Sequence, residues 1–199
     1  MRTRLNREIK SFCKDFRAIR KALRKIGATL VGQTDQVDYF FFLPDSPGQA
    51  DSRRLKLRID DGKPRLIYYY DKNQPDSRAV EFQVCEVSDP HIKDILEAAL
   101  GVRSVVRKRR EVWKEGNATF NLDTVEGVGK VFEAEVEVRR DDDAEGQIAR
   151  YRRLFGPHLG EDITGSNEDL VAPRLGPGRR RPNAPARLAR SAHRAPPPP

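Results

Sequence analysis

The chain has 199 residues, enough for one well-packed domain with a short appendage. Its 38 basic and 30 acidic side chains leave +8 at pH 7, but residues 173–199 hold seven arginines and no acid, so the first 172 carry only +1. No apolar run approaches the roughly 18 residues that a membrane helix needs, and Met1-Arg2-Thr3-Arg4 leads into a charged segment rather than a signal-peptide core, which predicts a cytoplasmic protein that does not enter a membrane.

Residues 4–13 read as a strand. Asp15 caps a helix running to about Ile26, with Phe16, Ile19, Ala22, Leu23 and Ile26 on one face and Gly27 ending it. Residues 29–43 form a second strand, followed by the loop Pro44-Asp45-Ser46-Pro47-Gly48. Strands over 53–59 and 65–70 flank the turn Asp61-Gly62, and 78–87 is the fifth. Asp89-Pro90 starts a helix that reaches Leu100 and stops at Gly101. Residues 105–114, 118–126 and 131–139 are strands six to eight. A last helix covers about 143–155, and 161–170 is a short further segment.

Residues 173–199, with eight prolines, cannot bury enough apolar surface to offset chain entropy and are expected to be a disordered tail to a domain spanning 1–172. An arginine-rich tail suits contact with RNA, DNA or anionic surfaces, and a solubilising extension is the plainer alternative. Cys13 and Cys85 read as two buried, reduced thiols, with a disulfide between them as the alternative. His91, His158 and His193 are scattered, without zinc spacing. A monomer and a homodimer paired through outer strands and the last helix are both left open.

Eight mostly antiparallel strands with intervening helices make an α+β pattern. In four of these strands it is charge that recurs at every second residue. They are Asn6-Arg7-Glu8-Ile9-Lys10, Arg54-Leu55-Lys56-Leu57-Arg58, Lys108-Arg109-Arg110 and Glu133-Ala134-Glu135-Val136-Glu137. A strand sends alternate side chains to opposite faces, so each segment lines up its charges on one side. If that side faces inward, then Leu55, Leu57, Ile59, Phe120, Leu122, Phe132, Ala134 and Val136 face a helix-covered exterior. An eight-stranded β-barrel with a polar lumen, wrapped by a few helices, satisfies all four strands together. For any one strand alone, an apolar core with the charges outside is the simpler arrangement.

Rows of one sign suit a polyanion and its metal ions. A triphosphate needs several Lys or Arg donors, which Lys10, Lys56, Arg58, Lys108 and Arg110 supply. Phosphoryl transfer also calls for Mg²⁺ or Mn²⁺, hard cations that take carboxylate oxygens and keep several waters. Glu133 and Glu135 point the same way along one strand and suit a shared ion. Asp123, in the same parity class as Asn121, is a third candidate ligand, and Glu8 a fourth, set against the terminal phosphates. Lys10 and Glu8 are also the catalytic candidates. Taken singly, an E-x-E pair is an ordinary solvated strand face, and Glu126-Gly127-Val128-Gly129 is an ordinary hairpin.

The order of these segments, over residues 4–170, resembles the CYTH superfamily, the triphosphate tunnel metalloenzymes that include class IV adenylyl cyclases and thiamine triphosphatases. The family's opening E-x-E-x-K is matched by Asn6-x-Glu8-x-Lys10. A helix ending Gly27-Ala28, the strand motif Gln36-Val37-Asp38, then Lys56-x-Arg58 and Lys108-x-Arg110 follow in order. The most specific stretch is Leu122-Asp123-Thr124-Val125-Glu126-Gly127-Val128-Gly129, followed by Phe132-Glu133-Ala134-Glu135, which resembles the cyclase-like members. The resemblance implies phosphate contacts from Lys10, Lys56, Arg58, Lys108 and Arg110. It implies metal ligation by Glu133 and Glu135, with Asp123 and Glu8 assisting. Two positions depart from the pattern: Asn6 replaces an acid, and Tyr69 stands where many members carry a lysine. Asn167 lies in a segment similar to the family's C-terminal one, where an aromatic is common.

The expectation is a metal-dependent enzyme acting on a nucleoside, thiamine or inorganic triphosphate. It either cyclises ATP, the ribose 3′-hydroxyl attacking the α-phosphorus and pyrophosphate leaving, or hydrolyses the chain with water. The alternative is a non-catalytic binder of polyphosphate or RNA, which would have little use for carboxylates opposite its basic rows.

Overall fold

The computed structural model describes residues 4–44, 53–72, 78–89, 91–139 and 143–171. The tail over 173–199, the loop after Pro44 and the expected helix start at Pro90 lie outside the described residues. The elements run β1 (Arg4–Cys13), α1 (Phe16–Lys25), β2 (Thr29–Phe41), β3 (Arg53–Asp60), β4 (Lys63–Lys72), β5 (Arg78–Glu86) and α2 (Ile92–Leu100). They continue with β6 (Val102–Glu115), β7 (Ala118–Val125), β8 (Gly129–Glu137), α3 (Ala144–Phe155), β9 (Leu159–Asp162) and α4 (Asn167–Val171).

Eight strands close into an antiparallel barrel in the order β1-β5-β4-β3-β2-β6-β7-β8 and back to β1. The outer edge of β1 is divided. Its first half closes the barrel, with Asn6 opposite Val80 on β5, and its last residues carry the short strand β9, with Ser11 opposite Asp162. Closure removes the unpaired edges that an open sheet of this size would expose.

The apolar faces of β1, β7 and β8 point outward and are covered by helices. Ile9, Phe120, Leu122, Phe132, Ala134 and Val136 form one cluster with Phe16, Ile19 and Leu23 of α1 and Ile148, Tyr151 and Phe155 of α3. Those helical residues recur at three- and four-residue spacing, which puts them on one stripe. Asp15 starts α1 by accepting from the Arg17 amide at 3.0 Å. Asp143 does the same for α3 from Gly146 at 2.8 Å. Phe120 stacks edge-on against Tyr151 at 4.8 Å between ring centroids, tying the sheet to α3.

A second, smaller cluster closes part of the barrel. Phe40, Val106, Val125 and Val131 pack with Ile163, Leu170 and Val171 of the C-terminal segment. The short segment expected over 161–170 therefore resolves into β9 and α4, and it acts as a plug. Strand six begins at Val102, earlier than the sequence suggests, because β2 pairs with it as far as Phe41. One expectation fails: Cys13 is buried but Cys85 is exposed on the outer face of β5, and both are free thiols. Among the described residues no helix is long and apolar enough to cross a membrane.

Candidate active site

The barrel encloses a cavity of about 220 Å³ lined by Glu8, Lys10, Lys56, Arg58, Lys108, Arg110, Glu133 and Glu135. These are eight of the nine residues singled out from the sequence, brought together from β1, β3, β6 and β8. Strand parity places them: in each pair separated by two, the intervening residue points outward. Lys10, Lys56, Lys108 and Arg110 are at most 7 % exposed, so these charges are held in a confined space. The lining counts eight basic side chains, with Arg4, Arg54 and Arg65 among them, against four acids. Basic side chains thus outnumber acidic ones along the lining.

Two ion-pair clusters organise the cations. In the first, Asp38 on β2 accepts from Arg58 Nε at 2.7 Å and Nη2 at 2.8 Å. Lys56 Nζ lies 3.4 Å and Lys108 Nζ 3.9 Å from the same carboxylate. In the second, Arg110 donates to Asp123 at 2.7 and 2.5 Å and to Glu133 at 2.6 Å. Lys10 Nζ sits 2.6 Å from Glu133, and Lys108 Nζ 3.1 Å from Asp123. The signs are therefore only partly separated between walls, since Asp38 stands in the middle of the basic wall.

Asp123 is completely buried and does not line the cavity. Its oxygens are taken by Arg110, Lys108 and the Asn167 amide at 3.4 Å. Asp38, at 2 % exposure, is the site residue that sequence reasoning passed over. Gln36-x-Asp38 was visible as a motif, and the parity of β2 puts Asp38 opposite Arg58 once β2 and β3 are paired. Before that pairing is known, nothing marks it as a counter-ion. Asn121 was likewise only a parity reference, yet it donates to Glu135 at 2.9 Å. Tyr69 takes its place in the lumen, with Lys56 Nζ 5.0 Å from its ring centroid.

The confinement shifts protonation. Burial pushes Lys56 down to about 7, helped by the neighbouring Arg58 guanidinium. Burial likewise brings Lys108 to about 7, with Arg110 beside it. Burial works against ionised Asp38, but Arg58 and Lys56 outweigh it and hold the carboxyl well below the usual range. Glu135 moves the other way, up to about 7, through burial and the adjacent Glu133 and Glu8 carboxylates.

That crowding of Glu135 tests whether a divalent cation fits. A carboxylate pushed up by two other acids is one whose ionised form gains from a cation placed between them. Asn6 at 3.3 Å and Asn121 at 2.9 Å donate to the two Glu135 oxygens, so both amides orient it. Among the described residues no three His, Cys, Asp or Glu side chains form a ready-made metal cage. Magnesium accepts this, because it is commonly held by one or two carboxylates with waters and substrate phosphate oxygens completing the octahedron. Glu135, with Glu8 nearby, fits such an ion, and Glu133 joins it by exchanging one of its basic partners, Lys10 or Arg110, for the metal.

Comparison with known proteins finds relatives of the same fold. A protein of Methanocaldococcus jannaschii, provisionally described as an adenylate cyclase, is 26 % identical over 133 residues, covering 66 % of this chain and 76 % of that one. The structure of the PH1012 protein from Pyrococcus horikoshii superposes with a TM-score of 0.67 at 28 % identity, covering 83 % of this chain and 99 % of that one. A Hippeastrum protein described as having a dominant triphosphatase activity shares the fold at a TM-score of 0.55 and 16 % identity, over 77 % of this chain and 88 % of its own. The CYTH domain family profile matches residues 4–157, most of the chain and all eight barrel strands, and the chain belongs to that family.

Proposed function

We propose that this protein is a divalent-metal-dependent enzyme that cleaves a triphosphate substrate inside the barrel, as a triphosphate hydrolase or as a cyclase of the class IV adenylyl type. The observation that carries the reading is one cavity lined by eight basic side chains and four acidic ones, with Glu133 paired to Lys10 and Arg110 and Glu135 beside it. Burying basic groups without equal counter-charge is costly unless an anion arrives to complete the pairing. The carboxylates speak against a plain polyanion binder, because without a cation between them they repel the ligand.

In this reading Lys56, Arg58, Lys108 and Arg110 hold the phosphate chain, and Lys10, fixed by Glu133 at 2.6 Å, neutralises charge on the reacting phosphate. Asp38 and Asp123 act as positioning residues, since each holds basic side chains from two strands in place. Glu133 and Glu135 would hold a Mg²⁺ or Mn²⁺ ion, with Glu8 assisting. The chemistry that such an ion would supply at these carboxylates is charge neutralisation during displacement. Charge neutralisation and positioning supply the rate enhancement, so no side-chain nucleophile is required.

The names borne by the relatives, adenylate cyclase for the archaeal protein and triphosphatase activity for the plant one, support the substrate class without choosing the nucleophile. Purified protein incubated with Mg²⁺ or Mn²⁺ and ATP, thiamine triphosphate or tripolyphosphate tests the reading. Turnover of at least one compound is expected, and Glu133→Gln should lower kcat at least about 100-fold while the protein stays folded. Full activity in that variant would mean that the metal is bound elsewhere.

A further inference from the structure

Outside the barrel, positive charge is concentrated on one helix. Residues 14–25 hold six basic side chains and one acid, a charge of +5, whereas the first 172 residues together carry +1. The rest of that span is therefore net acidic. Five of the ten residues of α1 are basic, and its first turn holds no acid. Arg17, Lys21, Arg24 and Lys25 are exposed and share one side of the helix, beside the face that Phe16, Ile19 and Leu23 bury. Lys14 and Lys130 are exposed next to its start, where Lys130 Nζ donates to the Lys14 carbonyl at 3.3 Å. Among the described residues, Arg20 is the one basic side chain of α1 with a carboxylate partner, Glu111.

Stability does not explain this pattern. Arg17 and Lys21, Arg20 and Arg24, and Lys21 and Lys25 are like charges four residues apart, which repel on a helix surface, and Arg17 in the first turn opposes the helix dipole. A row of phosphates would relieve both. Arg20 reaches Glu111, and the Arg24 guanidinium lies 5.5 Å from the Trp113 ring centroid, so the basic side of α1 adjoins the outer row of β6. Arg109 and Arg107, both exposed, continue that row. They line a groove of about 400 Å³ in which Asp35 and Glu126 end the positive track.

The chemistry of this surface narrows the choice of partner. A helix that lies on a bilayer inserts its apolar face, and α1 buries that face in the barrel core. A protein interface has an apolar or aromatic centre, and the exposed side of α1 has neither. Single-stranded nucleic acid is held on aromatic platforms, which this side also lacks. A regular row of phosphates fits. From Arg17 to Lys25 the stripe runs about 12 Å, a length over which one strand of a duplex presents about four phosphates. Residues 173–199 add seven arginines and no lysine or acid, a composition that suits bidentate phosphate contacts.

We propose that the exposed face of α1 is a docking surface for duplex nucleic acid, bound through its phosphate backbone without sequence preference and separate from the triphosphate cavity.

The test follows the fluorescence anisotropy of a short blunt DNA or RNA duplex with 5′-hydroxyl ends, which offers the barrel no triphosphate, as the full chain is added at several salt concentrations. The triple variant Arg17→Ala, Lys21→Ala, Lys25→Ala keeps Arg20 and Arg24 on their partners, and alanine maintains the helix. At about 0.1 M salt it should bind at least about 30-fold more weakly, and its slope of log affinity against log salt should be shallower by about 2 to 3. Circular dichroism checks its fold. If the triple variant does not fold, Lys21→Ala alone should weaken binding about fivefold. Wild-type binding that is absent at about 100 μM protein, unchanged in the folded variant, or weaker for the duplex than for single strands or for anionic phospholipid vesicles overturns the proposal. Each outcome is independent of whether the cavity turns over a triphosphate.

Discussion

Glu135 shows how a single carboxyl can trade stability for use. Its pKa is raised to about 7, first by burial and then by Glu133 and Glu8, so the folded chain holds a proton that the unfolded chain releases nearer 4.5. Stability from this group is therefore lost as pH rises from about 4.5 to about 7, and it stays lost above that. Glu135→Gln keeps an oxygen for the Asn121 amide and removes the charge. The melting temperature of the metal-free variant at pH 8 should rise by on the order of 5 °C, read by differential scanning fluorimetry. Adding Mn²⁺ should then stabilise the wild type and leave the variant unmoved. An equal or lower melting temperature without metal would show that Glu135 is not strained by its acidic neighbours.

The basic side has the opposite sign. Lys56 and Lys108 are lowered to about 7, chiefly by burial, so between about 7 and 10.5 the unfolded chain holds protons that the folded chain has given up. Folding stability from these groups rises with pH across that window. An anion reverses the preference by favouring the charged ammonium. Tripolyphosphate affinity, measured by calorimetry at saturating magnesium, should weaken as pH rises from 7 to 9, by up to about tenfold per unit for each lysine involved. Lys56→Met should bind more weakly at pH 7 and show a flatter profile. An unchanged slope would remove Lys56 from the phosphate contacts.

At the scale of elements, the C-terminal segment is where the sequence says least and the structure adds most. Nothing in the periodicity of residues 161–170 reveals that Ile163, Leu170 and Val171 pack on Phe40, Val106, Val125 and Val131. The segment is too short for a clear 3.6-residue pattern, and its partners come from four strands far away in sequence. Its contacts carry polar links as well: Glu168, 1 % exposed, accepts from Ser104 Oγ at 3.1 Å, and Asn167 donates to Asp123. α4 is therefore fastened to the same carboxylate that holds Arg110 and Lys108. Ile163→Ala should cost about 2 kcal/mol in denaturant unfolding, with faster hydrogen exchange in α4 than in β7. A loss under about 0.5 kcal/mol, typical of a surface site, would mean that the plug contributes no packing.

The strands were far more legible, for a reason that α4 lacks. In β3 and β8 the alternation of charge with Leu55, Leu57, Ala134 and Val136 is a period-two signal within one element, and it survives without knowing the neighbours. Parity gives the face of a residue but not its depth or its partner. That is why Glu133 and Arg110 were recognised as lumen residues, while the saturation of Asp123 behind Arg110 and the counter-ion role of Asp38 were not visible. Both depend on the pairings of β6 with β7 and of β2 with β3, which are set by the closed ring. The exposure of Cys85 was hidden for the same reason: the parity of β5 gives its face but not what covers that face.

For the whole molecule, the inversion of the usual barrel is the governing fact. Apolar side chains hold the helices on the outside, and the interior is given over to ions. This arrangement is stable because the buried basic groups meet carboxylates, through Asp38, Asp123 and Glu133. The proposed chemistry follows from this single arrangement, and one measurement addresses it most directly. A crystal structure of the protein grown with tripolyphosphate and Mn²⁺ should place the phosphates on Lys56, Arg58, Lys108 and Arg110, with anomalous density for manganese against Glu133 and Glu135. Phosphate bound only on the outer surface, or manganese away from both glutamates, would contradict the account.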